Sequence, residues 1–583
     1  MTTELAPTGA RAGPRVRRAT GEAFDAWGIA TIAVAALVAM PVVVVPLLAL
    51  FPSESIWAHL ASTVLPGYVT TTVELMLGVA CGTLAMGVGA AWLVTMCRFP
   101  GRRIFEWALL LPLAVPAYVI AYVYTDLLEY AGPVQGALRA AFGWRSAADY
   151  HFPEIRSLEG AVLMLSLVLY PYVYMLARAA FLEQSVNILD AARSLGCGPW
   201  GAFLRVSLPM ARPGIVVGLS LAMMETLNDY GTVSFFAVRT LTAGLYDVWL
   251  NMGNLGGAAQ IATVMLAFVA VLVVLERGSR RRRRHYQGGD RMARLPGYRL
   301  RGWRCWLAVF LCTFPFVAGF LVPALVLANH AVAELPGGWT PQFRGYALNS
   351  LGLSAAAAVA AVCASLLVSY RRRLRPNAWL TLATRVAGLG YAVPGAVLAI
   401  GVLVPLAAFD NALDALAREW LGMSTGLLLS GTVVALLLAY VVRFLAVSMG
   451  AVEASLARVT PSMDMASRTL GHGPGATFRR VHLPLVRGGV LTAALVVFVD
   501  SMKELPATLI LRPFDFDTLA THVYQFASDE QIERASLGAL LIVLAGLAPV
   551  IVLSRTIAAT RALEEHAGTV QAPAPAVIES VRA

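Results

Sequence analysis

The stretch AARSLGCGPWGAFLRVSLP, at residues 191–209, recurs 275 residues later as ASRTLGHGPGATFRRVHLP, at residues 466–484. Both copies keep an arginine, a glycine, a proline and a closing Leu-Pro in the same register. The match continues into the next apolar segment, where ETLNDYGT at 225–232 falls on DSMKELPA at 500–507. A register kept over this length indicates that the chain was built by an internal duplication.

The composition is that of a membrane protein. Of the 583 residues, 58% are hydrophobic and only 14% are charged, whereas soluble domains carry about 25% charged residues. A shorter repeat, AVPA at 114–117 against AVPG at 392–395, extends the duplication over most of both halves. Apolar stretches long enough to cross about 30 Å of hydrocarbon occur throughout both halves. They predict an all-α polytopic fold of six plus six spans, at residues 28–50, 69–95, 104–128, 159–181, 211–236, 258–275, 304–327, 347–369, 378–408, 425–449, 488–511 and 536–556.

The arginines fall in alternate connections between the predicted spans. Basic connections stay in the cytoplasm, so we expect both termini and both repeated loops on the cytoplasmic side of the plasma membrane. The net charge of +11 is explained by this topology and by attraction to membrane lipid, and does not indicate nucleic-acid binding. The predicted division is a cytoplasmic N-terminal arm at 1–27, a first half at 28–276, an Arg-rich cytoplasmic linker at 277–302, a second half at 303–560 and a cytoplasmic tail at 561–583.

Lys503 is the only lysine of the chain, and it is followed by a glutamate. A phosphate-binding loop of the GxxxxGK type needs a lysine after its glycines, so this chain contains no such loop. Any ATP must therefore be hydrolysed by another polypeptide. The six cysteines form no CxxC pair, which argues against a disulfide framework and against a zinc or iron–sulfur site. We expect a non-enzymatic chain that binds no cofactor or metal of its own.

Each copy of the repeated loop predicts a short helix, a break at a glycine and a Gly-Pro turn, and then a second short helix that leads into the next span. A helix placed along the cytoplasmic face can dock against a partner protein. The alternative is that each loop is only a tight connection between two spans, whose positive charge keeps it in the cytoplasm. Two copies with the same glycine, proline and arginine positions favour a docking role.

The pattern resembles the EAA loop of ABC-importer permeases, which has the form EAAxxxG and ends at Leu-Pro. The resemblance implies that each loop is a coupling helix docked on an ATPase subunit. The glutamate that opens the motif is replaced by Asp190 in the first copy and by Met465 in the second, so we expect two unequal docking sites. The other matching positions are Ala191, Ala192, Arg193 and Gly196 in the first loop, and Ala466, Ser467, Arg468 and Gly471 in the second.

Polar residues interrupt the fifth and eleventh predicted spans. A carboxylate near the bilayer centre costs about 3 kcal/mol on insertion scales, so such groups normally face a polar cavity or a partner. Gly231 and Pro506 follow the two groups and predict that both helices loosen there. We expect the groups to line or gate a pathway, to lock the two halves together, or both. They are Glu225, Asn228 and Asp229 in the first half, and Asp500, Lys503 and Glu504 in the second.

The segments MKELPATLILRPFDFDTLATHVY, at 502–524, and ETLNDYGTVSFFAV, at 225–238, resemble the fused two-half permeases of ferric-iron ABC importers. The resemblance covers nearly the whole chain. It implies a type I importer fold in a bacterial inner membrane, two copies of a cytoplasmic ABC ATPase that use ATP and Mg, and a periplasmic binding protein that captures Fe3+.

Other cargoes remain open at this point. Related permeases carry thiamine, sulfate, phosphonates or polyamines, and an acidic pathway suits iron or polyamine better than sulfate. A different class of protein also fits the intramembrane carboxylates. It is a secondary transporter driven by an ion gradient, in which Glu225, Asp229, Asp500 and Glu504 would be proton or sodium sites.

Overall fold

The computed structural model describes residues 26–52, 56–184, 186–281, 298–374, 377–457 and 459–570. Most of the predicted N-terminal arm and linker, and the end of the predicted tail, lie outside these residues. The boundaries proposed for those segments therefore stay predictions.

Within the described residues, the first half consists of helices and their connections, apart from one short strand, β1, at Cys97–Arg98. Its described helices are α1 (Ala26–Leu50), α2 (Trp57–Ser62), α3 (Leu65–Met96), α4 (Arg102–Ala108), α5 (Ala117–Leu128), α6 (Pro133–Phe142), α7 (Leu158–Leu182), α8 (Val186–Ser194), α9 (Pro199–Ala202), α10 (Leu208–Asn228), α11 (Gly231–Phe235), α12 (Leu241–Tyr246) and α13 (Leu255–Arg281).

The second half repeats this order after strand β2, at Tyr298–Arg299, which pairs in parallel with β1. Its described helices are α14 (Trp303–Phe316), α15 (Val322–Gly338), α16 (Pro341–Leu374), α17 (Ala378–Ala387), α18 (Gly395–Leu421), α19 (Val433–Leu456), α20 (Pro461–Thr469), α21 (Pro474–Thr477), α22 (Leu483–Met502), α23 (Pro506–Leu511), α24 (Leu519–Ser528) and α25 (Ile532–Val570).

The predicted all-α polytopic class is confirmed. Within the described residues, eleven helical stretches are long and apolar enough to cross a membrane. A twelfth segment meets the same test only as a pair of stretches, Arg102–Ala114 and Ala117–Phe142, that are bent by 92°.

The third and ninth spans were predicted as continuous helices, at 104–128 and 378–408, and this was wrong. Both are broken at the repeated AVP sequence. Pro116 and Pro394 have extended backbones, with ψ angles of 143° and 144°, and α5 and α18 begin directly after them. Proline lacks the N–H that would continue the helix and disfavours helical geometry in the residue before it.

The fifth and eleventh spans, predicted at 211–236 and 488–511, begin and end earlier than expected, since the helical stretches are Trp200–Asn228 and Pro474–Met502. Helix α10 ends at Asn228 and α22 ends at Met502, and each is followed by a break and a short helix, α11 or α23. The loosening expected near Gly231 and Pro506 therefore takes the form of a complete interruption. Each half thus supplies two broken spans, and all four breaks lie around one cavity.

The first span of each half packs against the other half. Helix α1 contacts α17 and α18, and the ring of Trp27 lies 5.7 Å from that of Tyr370. In the opposite direction, the hydroxyl of Tyr124 in α5 donates to the carbonyl of Ala318, between α14 and α15, at 2.8 Å. The halves are therefore interleaved, and one apolar core includes residues of both.

Candidate translocation site and coupling loops

Two carboxylates lie at the breaks of the fifth and eleventh spans. In the first half, the N–H groups of Thr232 and Val233 donate to Asp229 Oδ1, both at 3.1 Å. In the second half, the N–H of Ala507 donates to Glu504 Oε1 at 3.2 Å. Each carboxylate thus satisfies backbone donors at the start of the short helix behind its break, where negative charge is favourable.

The side chain of Arg443, in α19, joins the two breaks. It is only 2% exposed. Its Nε lies 3.1 Å from Glu504 Oε2, and its Nη2 lies 3.7 Å from Glu225 Oε1. Its Nη1 also donates to Asn228 Oδ1 at 3.1 Å. A single buried guanidinium therefore contacts polar groups of both halves.

Arg443 is not among the residues predicted from the sequence. The internal repeat does not reveal it, because the residue 275 positions earlier is Val168. The signal that could have found it is simpler: a lone arginine in the apolar run VVALLLAYVVRFLAVSMG, at 433–450, is an intramembrane charge, and such charges are usually functional.

The only lysine of the chain pairs within its own half. Lys503 Nζ lies 2.9 Å from Asp500 Oδ1. It also donates to the carbonyl oxygen of Leu113, in the first half, at 3.5 Å. The sequence left open whether Lys503 pairs with Asp500 or with Glu504, and the structure places it against Asp500.

All six predicted pathway residues line one cavity of about 90 Å³ between the halves. Four carboxylates and two cations surround it, so its formal charge is −2. Within the described residues, no three His, Cys, Asp or Glu side chains are arranged to hold a metal ion. The lining comprises Leu113, Val115, Pro116, Ala117, Tyr118, Leu165, Val168, Leu169, Tyr172, Glu225, Asn228, Asp229, Tyr230, Gly231, Tyr391, Arg443, Phe444, Asp500, Lys503, Glu504, Leu505 and Pro506.

Tyrosines connect the halves around this cavity. The hydroxyl oxygens of Tyr172 and Tyr391, one from each half, lie 3.5 Å apart. The rings of Tyr230 and Tyr246 stack at 3.7 Å, and the hydroxyl of Tyr246 donates to the carbonyl of Pro506. The halves are thus in contact beside the cavity.

The two repeated loops have the predicted geometry of helix, break and helix. Gly196 and Gly471 end α8 and α20 with left-handed φ angles of 81° and 78°. The N–H of Cys197 donates to the carbonyl of Ala192 at 3.0 Å, and that of His472 donates to Ser467 at 3.1 Å. This pairing closes the end of a helix and favours glycine at the left-handed position.

Equivalent positions in the two loops share their burial. Ala192 and Ser467 are buried, whereas the other predicted coupling residues with a described side chain are exposed. The side chain of Arg193 lies outside the described part of the loop. Leu195 and Leu470, one position before the glycines, are 84% and 75% exposed. Each loop therefore presents an apolar side chain to the cytoplasm on the predicted topology.

In the second loop the alanine of the EAA pattern is replaced by Ser467, and a second alanine of the first loop is replaced by Thr477. The Ser467 and Thr477 hydroxyl oxygens lie 2.8 Å apart in a buried pair. In the first loop the same two positions are Ala192 and Ala202, which are both buried. The serine that departs from the EAA pattern therefore has a hydrogen-bond partner inside the same loop.

A second residue that the sequence analysis missed anchors the second loop. Asp464, one position before Met465, lies 3.0 Å from Arg373 Nη2 at the end of α16. Its other oxygen contacts Nε2 of His482, which is fully buried. A carboxylate one residue before the expected glutamate thus ties this loop to two neighbouring elements.

Comparisons with known proteins agree with this architecture. Residues 83–285 match a family described as binding-protein-dependent transport system inner membrane component. The matched segment includes the first repeated loop and the polar residues of the fifth span.

Individual relatives fall into two size classes. The Fe(3+)-transport system permease protein of Haemophilus influenzae is 26% identical over 84% of this chain and 89% of its own length. The molybdenum transport system permease protein ModB of Escherichia coli is 29% identical over 33% of this chain and 83% of its own length. A probable molybdenum ABC transporter permease protein of Haloferax volcanii is 30% identical over 33% of this chain and 67% of its own length. The chain therefore belongs to the family of binding-protein-dependent inner-membrane components, the permeases of ABC importers.

Proposed function

We propose that this permease imports ferric iron. The observation that carries the proposal is the cavity between the halves, which is lined by four carboxylates against two cations. A cavity with a net negative charge attracts cations and repels dianions such as molybdate and sulfate. The likeness to a permease named for Fe(3+) transport, which extends over 84% of the chain, supports the same cargo.

The proposed energy source is ATP, hydrolysed by partner proteins. Two cytoplasmic ABC ATPases would dock on the repeated loops, and a periplasmic binding protein would deliver the cargo to the outer face. The two loops support this arrangement because they have the same break and the same exposed leucine. The second loop is held by the ion pairs of Asp464, whereas the residue at the same position of the first loop is Leu189. The two docking sites would therefore be unequal.

Uptake in cells tests the cargo. Cells that lack this chain, and the same cells with the chain restored, are given labelled Fe3+, molybdate, sulfate, phosphonate, thiamine or polyamine in separate experiments. We expect only Fe3+ uptake to depend on the chain. Restored uptake of molybdate or sulfate, with none of Fe3+, would contradict the proposal and assign the cavity to an oxyanion.

Reconstitution tests the energy source. The purified chain in vesicles should transport nothing until an ATPase partner and ATP are added. Uptake driven by a proton or sodium gradient, with the chain alone, would instead identify a secondary transporter.

A further inference from the structure

The hydroxyl of Tyr118 is a buried polar group without a hydrogen-bond partner. The residue is 4% exposed and lines the cavity at the start of α5. The carboxylates of Glu504 and Asp229 line the same cavity. Buried polar groups are normally paired, so an unpaired hydroxyl in a cavity lined by carboxylates is a candidate ligand for a cation.

The same two carboxylates belong to opposite halves, and the Tyr118 ring is held against the first break. A Cβ added at Gly231 would lie 2.5 Å from Tyr118 Cβ, so the absence of a side chain there lets the ring approach. Three oxygen-bearing side chains from the two halves thus line one cavity, and two of them stand at the breaks of the fifth and eleventh spans. Carboxylate and hydroxyl oxygens suit hard cations of high charge.

Arg443 lines the same cavity and already pairs with one of the three groups, Glu504. Its guanidinium contacts Glu504 and Glu225 and donates to Asn228. With this cation in place, Glu504 is not free to bind another. Movement of the guanidinium would leave buried carboxylates unpaired, which is unfavourable unless a second cation replaces it.

We propose that Asp229, Glu504 and the hydroxyl of Tyr118 form a transient coordination site for the cargo cation, and that Arg443 is the resident counter-ion which the cargo displaces. The inference rests on the proposed transport of a cation. Without cargo the guanidinium of Arg443 pairs with Glu504, and with cargo the cation would take its place, so this buried carboxylate has a positive partner in both states. No covalent bond or proton transfer is required.

Terbium(III) binding to the purified full-length chain tests the site. Tb3+ is a hard trivalent ion, and its luminescence on excitation of nearby tyrosines reports binding. We expect Arg443→Met to bind Tb3+ at least about tenfold more tightly than the natural sequence, because the competing cation is gone. The double variant Asp229→Asn with Glu504→Gln should bind at least about tenfold more weakly, and Tyr118→Phe should also weaken binding.

Matched variants separate the site from general charge effects. Glu419→Gln removes an exposed carboxylate outside the cavity and should leave Tb3+ affinity unchanged. Arg443→Lys keeps the cation and should bind like the natural sequence. Only variants with a cooperative unfolding transition are compared, and Tyr118→Phe, which removes one oxygen, provides the test if Arg443→Met does not fold. Unchanged affinity in folded Arg443→Met, or in folded Tyr118→Phe, would overturn the inference.

The Tb3+ measurement and the uptake measurement can fail separately. If Tb3+ binds as expected but cells take up no Fe3+ through this chain, the coordination site stands and the iron proposal fails. If cells import Fe3+ and the double variant binds Tb3+ like the natural sequence, iron import stands and the coordination site fails.

Discussion

Asp229 and Glu504 stand 275 residues apart in the sequence and occupy equivalent places in the two halves. Each accepts backbone hydrogen bonds at the start of the short helix behind a broken span. The cations beside them are not equivalent: Lys503 corresponds to Asn228, and Arg443 corresponds to Val168. The duplicated unit has kept its capping carboxylates, while the second half alone supplies the positive charges.

The ion pairs of the cavity should be needed for uptake. Glu504→Gln removes the carboxylate 3.1 Å from Arg443, and breaking a buried pair costs about 3–5 kcal/mol. Lys503→Met should cost less, since Asp500 is partly exposed to the cavity. We expect both variants to lower the rate of labelled uptake per chain in the membrane. Wild-type rates at normal abundance would show that the pairs are dispensable.

The glycines that end α8 and α20 should be needed for coupling. Replacing Gly196 and Gly471 with valine forces a side chain into a left-handed conformation, at a cost of about 1–2 kcal/mol for each residue. A Cβ at either position would meet no neighbouring atom, so membrane insertion should be unaffected. We expect ATP-dependent uptake to be lost while the amount of chain in the membrane stays normal.

A matched pair of glycines in the same loops provides the control. Gly198 and Gly473 also have open space around them, and neither has a positive φ. Gly198→Ala with Gly473→Ala should retain uptake. If both double variants lose uptake equally, the surface of the loops is needed for uptake and their left-handed backbone conformation is not the cause.

Asp464→Asn should loosen the second loop and leave the first unchanged. The substitution removes the charged partner of Arg373 and His482, and hydrogen bonds to charged groups contribute about 1.5–3 kcal/mol. Hydrogen exchange measured by mass spectrometry should show faster exchange in α20 than in the natural sequence. Exchange in α8 should be the same in both, and equal changes in the two loops would contradict the anchoring role.

The stability of the loop before α7 should depend on pH through Asp149. Hydrogen bonds from the N–H groups of Arg145 and Ser146 hold the pKa of Asp149 below its ordinary value of 3.8. A carboxyl with a lowered pKa stabilises the folded loop above the unfolded pKa, and this contribution is lost as the pH falls through the folded pKa. Asp149→Asn should therefore reduce exchange protection of the loop near pH 6.

The comparison at low pH completes this test. Below the folded pKa of Asp149, the natural sequence and Asp149→Asn should have equal protection, after correction for intrinsic exchange rates. A difference between them that does not change with pH would mean that the carboxyl contributes through its shape and not through its charge.

The existence of the spans and the helix, break and helix geometry of the repeated loops could be predicted, because both depend on local sequence. Apolar length predicts a span, and Gly196 and Gly471 predict a helix end from the chain around them. The breaks at Pro116 and Pro394 were not predicted, since an apolar run reads as continuous across a proline that neighbouring helices accommodate.

The partners in the cavity were only partly predictable. The six polar residues of the fifth and eleventh spans were found from their sequence, but Arg443 lies on another helix and has no counterpart in the repeat. Asp464 was missed for a related reason, because it stands one residue outside the motif that guided the search. Both act through contacts made only when distant helices pack together.

Lys503 is the one side-chain amine in the chain, and it lines the cavity with 24% of its side chain exposed. Apart from a free N-terminus, the chain offers an acylating reagent no other amine. The natural sequence therefore carries its own single-site reporter, and no engineered cysteine is needed. The rate at which Lys503 is acylated, with and without ATP and the partner proteins, would measure how often the pathway opens to water.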